Sequence, residues 1–143
     1  MQDAAIVRRM ADAQPVHNEP IPGFDGLYGL QLTRADGDGV EGQVEIDPRH
    51  HQPFGIVHGG FYAAMAESMA SIGTFIGTGE DKFVAGMSNN TTFLRAVREG
   101  TVRAKARPLH TGRTTWIWDV EITGDDGRAL AAARVTIAVR EPR

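Results

Sequence analysis

Between Gly59 and Gly79 the apolar positions Phe61, Ala63, Ala64, Met65, Ala66, Met69, Ala70, Ile72 and Phe75 cover nearly the whole circumference of a 3.6-residue period. The spacing predicts one long helix wrapped by other elements rather than laid on a surface. Gly73, Gly77 and Gly79 read as stop signals, and Ala63, Ala64, Ala66 and Ala70 are small enough to let strands approach closely. Elsewhere the period is two. Thr101 to Leu109 alternates Val102, Ala104 and Ala106 with Arg103, Lys105 and Arg107, and Thr114 to Thr123 alternates Trp116, Trp118, Val120 and Ile122 with Thr115, Ile117, Asp119 and Glu121.

Further strands are predicted for Phe83 to Leu94 and Leu130 to Val139, with Gly124-Asp125-Asp126-Gly127 as a turn before the last. Upstream, Leu27 to Thr33 and Val40 to Ile46 flank Asp36-Gly37-Asp38-Gly39, a hairpin signal, and Asp47-Pro48 ends it. Two strands, a buried helix and about four more strands predict an α+β domain with an antiparallel sheet of five to six strands curled around that helix. Residues 1–26 read as an arm and lead-in. A short helix is expected from Asp3 to Ala13, with Ile6, Val7 and Met10 on one face, followed by the irregular Pro15, Pro20, Pro22 and Gly23.

The length of 143 residues suits a single domain spanning 1–143, with no room for a second catalytic one. A net charge of −3 with 23% charged residues gives no polyanion-binding surface, so nucleic acid is not an expected partner. Without cysteine there are no disulfides, thiolate metal sites or cysteine nucleophiles. The charged start MQDAAIVRRMADAQ has no signal-peptide core, and no apolar run reaches membrane-spanning length, so the cytoplasm is the expected location and a membrane is not an expected partner.

Candidate chemistry gathers around the helix. From His50 to Gly79 the only formally charged side chain, with histidine neutral, is Glu67. Burying it ionised without partners would cost several kcal/mol, so it is exposed, hydrogen-bonded or functional. Gly59-Gly60 opens the helix where the first N–H groups lack intrahelical partners, a place suited to an oxyanion, although glycine before a helix is more often a plain turn. Gly59 and Glu67 are separated by eight residues, roughly 12 Å along a helix axis. One copy of the helix does not easily serve one reacting carbonyl with both. If both act, the simplest arrangement is a two-fold dimer in which one subunit's turn faces the other's Glu67. His50, His51, Gln52 and His58 precede the helix, but with no Asp, Glu or Cys among them and no zinc-like spacing they predict no metal site.

HQPFGIVHGG, the helix with Glu67, the run RPLHTGRTTWIWDVEI and the closing strand resemble the hotdog-fold acyl-CoA thioesterases over about Leu27 to Val139. Within these, the chain is similar to the branch of the 4-hydroxybenzoyl-CoA thioesterase with a helix glutamate, the enterobactin-pathway proofreading thioesterase and the dihydroxynaphthoyl-CoA hydrolases. The resemblance implies a hydrolase that converts an aryl- or related acyl-CoA to the free acid and coenzyme A, with no cofactor beyond the CoA of its substrate. Glu67 would be the general base or nucleophile and the Gly59 N–H the oxyanion donor. Gln52 would orient the thioester or water, His58 would support the turn and the thioester, and Ser71 would bond the water or the carboxylate. Plain structural roles for Gln52, His58 and Ser71 stay open.

The same resemblance puts the CoA groove at Gly86, at Phe93, Leu94, Arg95 and Ala96, and at His110, Thr111, Gly112, Arg113, Thr114 and Thr115, with Arg95 and Arg113 on phosphates. Arg103, Lys105 and Arg107 suit either an anionic nucleotide or a solvated face. Phe54, Met65, Met69 and Phe75 are candidates for the acyl pocket. The implied assembly is a homodimer or a homotetramer built as a dimer of dimers, its active site shared between protomers. Where the enterobactin-pathway enzyme has His-His after its post-helix strand, this chain has Phe93-Leu94, which argues against catecholate acyl groups. The fold also hosts dehydratases and hydratases, but their aspartate-histidine pair is not visible here. A non-catalytic acyl-CoA-binding dimer, with Glu67 as a plain helix residue, is the other reading.

Overall fold

The computed structural model describes residues 21–79 and 81–142, so the helix expected from Asp3 to Ala13 lies outside the described residues. A short helical turn, α1 (Phe24–Leu27), precedes β1 (Gln31–Asp36) and β2 (Gly39–Glu45). After a 3₁₀ turn at Pro48–His50 comes the long helix α2 (Gly59–Thr78), then β3 (Phe83–Phe93), β4 (Thr101–Thr111), β5 (Thr115–Thr123) and β6 (Ala129–Arg140). The six strands form one antiparallel sheet in the order β1-β2-β4-β5-β6-β3. Both β1 and β3 are therefore edges.

The sheet curls around α2 because each layer presents apolar side chains to the other. Phe61, Met65, Met69 and Phe75 from the helix pack with Val102, Trp118, Ile122 and Ile137 from the strands in one core. Along β5, Trp116, Trp118, Val120 and Ile122 are buried while the residues between them are not, as the period of two predicts.

Three local expectations change. The first strand starts at Gln31 rather than Leu27, because residues 24–27 turn helically and Leu30 N–H bonds the Asp25 carbonyl at 3.0 Å. Gly73 and Gly77 do not stop the helix. A Cβ on Gly73 would lie 2.4 Å from Trp118 Cη2, and one on Gly77 equally close to Trp116 Cη2, so both glycines make room for indole rings inside the fold. The helix ends instead at Gly79, whose φ of 89° is a left-handed-side conformation that L side chains rarely adopt. Strand β4 continues past Leu109 through a register shift to Thr111.

Candidate active site

The loop before α2 is held rigid by its histidines. Asp47 N–H donates to His50 Nδ1 at 2.9 Å, which leaves Nε2–H to donate to the Tyr28 carbonyl at 2.8 Å. His51 Nε2 donates to the Arg98 carbonyl at 2.7 Å, and the Arg98 guanidinium donates to the carbonyls of Phe54 and Gly55. Gln52 Oε1 accepts from the Phe54 N–H. Each of these side chains bonds the loop backbone or its neighbour, so residues 51–57 are fixed against the connection after β3. Among the described residues, no three His, Cys, Asp or Glu side chains converge as a metal-binding group.

At the start of α2, His58 is the N-cap. Its Nδ1 accepts from Gly60 N–H at 2.8 Å and its carbonyl from Phe61 N–H at 3.0 Å. Between them, the Gly59 N–H has no protein acceptor among the described residues. A preorganised, unpaired donor at a helix N-terminus can bind an anion or stabilise a developing oxyanion. The Phe93 ring lies against this turn: a Cβ on Gly59 would sit 2.7 Å from Phe93 Cζ. Phe93 is itself 57% exposed, and Phe54, at 84%, is more so.

Two turns along α2, Glu67 is exposed and Ser71, four residues on, is half-buried on the same helix face. The Glu67 carboxylate lies against β3, where a Cβ on Gly86 would come 2.7 Å from Oε1. Beside it, Ser68 Oγ donates to Asp25 Oδ1 at 2.6 Å, and the Tyr28 hydroxyl donates to the same oxygen at 2.7 Å. Burial, and then the nearby Asp25 charge, push the Tyr28 hydroxyl far above its ordinary pKa, so it stays a neutral donor. This triangle, which the sequence reading did not single out, ties the lead-in segment to the helix turn that carries Glu67.

The candidate residues thus fall into two groups. Gln52, His58, Gly59 and Phe93 to Ala96 lie at one end of the helix face; Glu67, Ser71 and Gly86 lie at the other. Sheet register extends the second group, since Gly86, Ile137, Trp116 and Thr111 form one row across four strands and bring the hairpin of His110 to Thr115 to that end. Within a single chain the groups stay apart, because seven residues of β3 span roughly 20 Å.

The expected binding residues have partners within the fold or stand at its surface. Arg95 makes a two-point ion pair with Asp126, both bonds 2.7 Å, and so is engaged within the fold. The Arg95 hydrogen bonds hold the Asp126 carboxyl far below the usual carboxylate range. Arg113 is exposed in the turn between β4 and β5. Arg103 pairs with Asp125 at 2.9 Å and Lys105 with Glu41 at 3.0 Å on the solvent face of β4, which fits the solvated-strand reading. Met65, Met69 and Phe75 lie in the core between the helix and the sheet, and Phe54 is at the surface. Tyr62 is buried behind Phe93, and burial pushes its hydroxyl up to about 12. The doublet Asn89-Asn90 was also overlooked, although Asn is depleted in strands and could have flagged it; Asn89 Nδ2 donates to the Ala63 carbonyl of α2 at 2.8 Å.

The family model of the thioesterase superfamily matches residues 54–131, more than half the chain. The proofreading thioesterase EntH of Cronobacter turicensis is 37% identical over 111 residues, covering 78% of this chain and 81% of its own. A variant of the thioesterase PA1618 of Pseudomonas aeruginosa superposes with a TM-score of 0.82 at 30% identity, covering 99% of this chain and 96% of that one. The thioesterase HI1161 of Haemophilus influenzae gives a TM-score of 0.78 at 32% identity, with 82% of each chain covered. The chain belongs to the thioesterase superfamily and is a hotdog-fold thioester hydrolase.

Proposed function

We propose that the protein hydrolyses an aryl- or related acyl-CoA thioester as a two-fold dimer, each active site combining Glu67 of one protomer with the Gly59 turn of its partner. The observation that carries this reading is the division of the candidate residues between the two ends of β3, an edge strand eleven residues long. Unpaired edges of this length pair readily with another strand. Antiparallel pairing of β3 with its copy, about an axis near Asn89 and Asn90, brings the Gly86 end of one strand beside the Phe93 end of the other. Glu67 and Ser71 then approach the partner's Gly59 turn, and the carboxylate that is exposed in one chain becomes interfacial.

In that setting Glu67 takes the proton of a water attacking the thioester carbon, or attacks it directly to give a mixed anhydride that water then cleaves. Either way the Gly59 N–H receives the charge developing on the carbonyl oxygen, and the CoA thiolate leaves. His58 and Asn89 act on the scaffold: one fixes the N-terminal turn of α2, the other clamps β3 to the helix. The exposed apolar pair Phe93-Leu94 beside the turn favours a pantetheine arm or apolar acyl group there over a catechol.

Glu67→Ala should lower kcat by about 10²- to 10⁴-fold with the melting temperature unchanged. A panel of benzoyl-, phenylacetyl-, naphthoyl- and medium-chain CoA thioesters, with the same acids on carrier protein, would name the substrate. Undiminished turnover in Glu67→Ala would remove this glutamate from the chemistry.

A further inference from the structure

Strand β3 has a bulge immediately beside Glu67. Ile137 and Thr136 are consecutive on β6, yet their partners on β3 are Gly86 and Ser88, so Met87 is an extra residue. In an unbroken strand, Val84 and Gly86 would be followed on the helix side by Ser88, Asn90 and Thr92. One extra residue shifts the alternation, and Asn89 and Phe93 turn toward α2 instead. Asn89 Nδ2 then reaches the Ala63 carbonyl, the oxygen that accepts Glu67's own amide in a regular α-helix. The turn from which Glu67 projects is thereby fixed to β3.

Gly86, on the other side of the bulge, also faces the helix, and what it meets there is the carboxylate. A Cβ would lie 2.7 Å from Glu67 Oε1, closer than side chains tolerate, and 3.1 Å from Cδ. Its backbone gives no other reason for glycine, because Gly86 is not among the residues with positive φ.

We infer that Gly86 is a positioning residue for thioester hydrolysis: its missing side chain is the space that the Glu67 carboxylate occupies against β3. The inference rests on the reading of Glu67 as the reacting carboxylate. It differs from a groove role for Gly86, which would act on CoA rather than on Glu67. The colliding atom is the far end of a flexible, exposed side chain, so alanine at this position turns Glu67 aside and leaves the strand in place.

The test is a double-mutant cycle of Gly86→Ala and Glu67→Ala, assayed on benzoyl-CoA or whichever panel thioester the wild type cleaves best, and on the N-acetylcysteamine thioester of the same acid. Gly86→Ala is expected to keep the wild-type melting temperature and elution volume, to lower kcat by about 10- to 100-fold on both thioesters with little change in KM, and to have no further effect in the Glu67→Ala background. Unchanged kcat in Gly86→Ala, with Glu67→Ala inactive, overturns the inference and leaves the role of Glu67 standing. A rise in KM confined to the CoA thioester assigns Gly86 to the CoA groove and overturns it as well. Unfolding of Gly86→Ala in both backgrounds does the same, because the β3 backbone would then be what needs glycine. Full turnover in Glu67→Ala removes the reading beneath the inference and the inference with it.

Discussion

Trp118 packs across the C-terminal half of α2 with none of its surface exposed, and two adjacent helix residues make this possible. Thr74 Oγ1 accepts the indole N–H at 2.8 Å while donating its own proton to the Ala70 carbonyl at 2.8 Å, so the one polar atom of the ring is paired inside the core. Gly73 supplies the room: a Cβ there would meet Trp118 Cη2 at 2.4 Å and Val40 Cγ2 at 2.9 Å. On an exposed helix Gly→Ala would stabilise by roughly 1 kcal/mol. Here neither neighbour can yield, since both are fully buried, and overpacking costs about 1–3 kcal/mol. The net sign for Gly73→Ala is therefore destabilising, read as a lower urea midpoint with the slope unchanged. Thr74→Val keeps the shape but strands the indole N–H, a loss of about 1–3 kcal/mol by the same measurement.

At the scale of elements, the segment leaving β3 is tied to the β5–β6 turn through Arg95 and Asp126. Because this pair holds the carboxyl below its ordinary pKa, its stabilisation is present above about pH 4, the unfolded value, and is lost as pH falls toward the depressed folded value. Asp126→Asn should melt below the wild type near neutrality, and the two melting curves should converge on acidification below about pH 4. The pair also marks a limit of reading from sequence. Alternation located β4, β5 and β6 within a residue or two, and the isolated charge at Glu67 marked the helix face that carries the candidate site, because both signals are local. That Arg95 faces Asp126, thirty-one residues away, is a tertiary fact. So is the fit of Gly73 and Gly77 in α2 to the tryptophans of β5, without which interior glycines look like stops. The bulge at Met87 left no periodic trace either, and it alone decides that Gly86 and Asn89 both face the helix.

For the whole molecule, the two-site geometry makes a demand that one chain cannot meet, and Gly59 offers a way to test it without disturbing the fold. Proline is favoured at the first position of a helix, which is where Gly59 stands. His58 before it already has φ −69° and ψ 131°, the extended conformation that a following proline requires. Gly59→Pro therefore removes an N–H that has no protein acceptor among the described residues, and the exposed Phe93 ring can move aside for the new side chain. Homodimers of Gly59→Pro and of Glu67→Ala should each be inactive. A heterodimer of the two, made by co-expression with different tags, contains one doubly damaged site and one intact site, so it should recover about half the wild-type turnover. If each chain held a complete site, no mixture would recover activity, because every chain would carry one lesion. Gel filtration of the wild type gives the prior check: a strict monomer leaves β3 an open edge and Glu67 without the turn it is proposed to face.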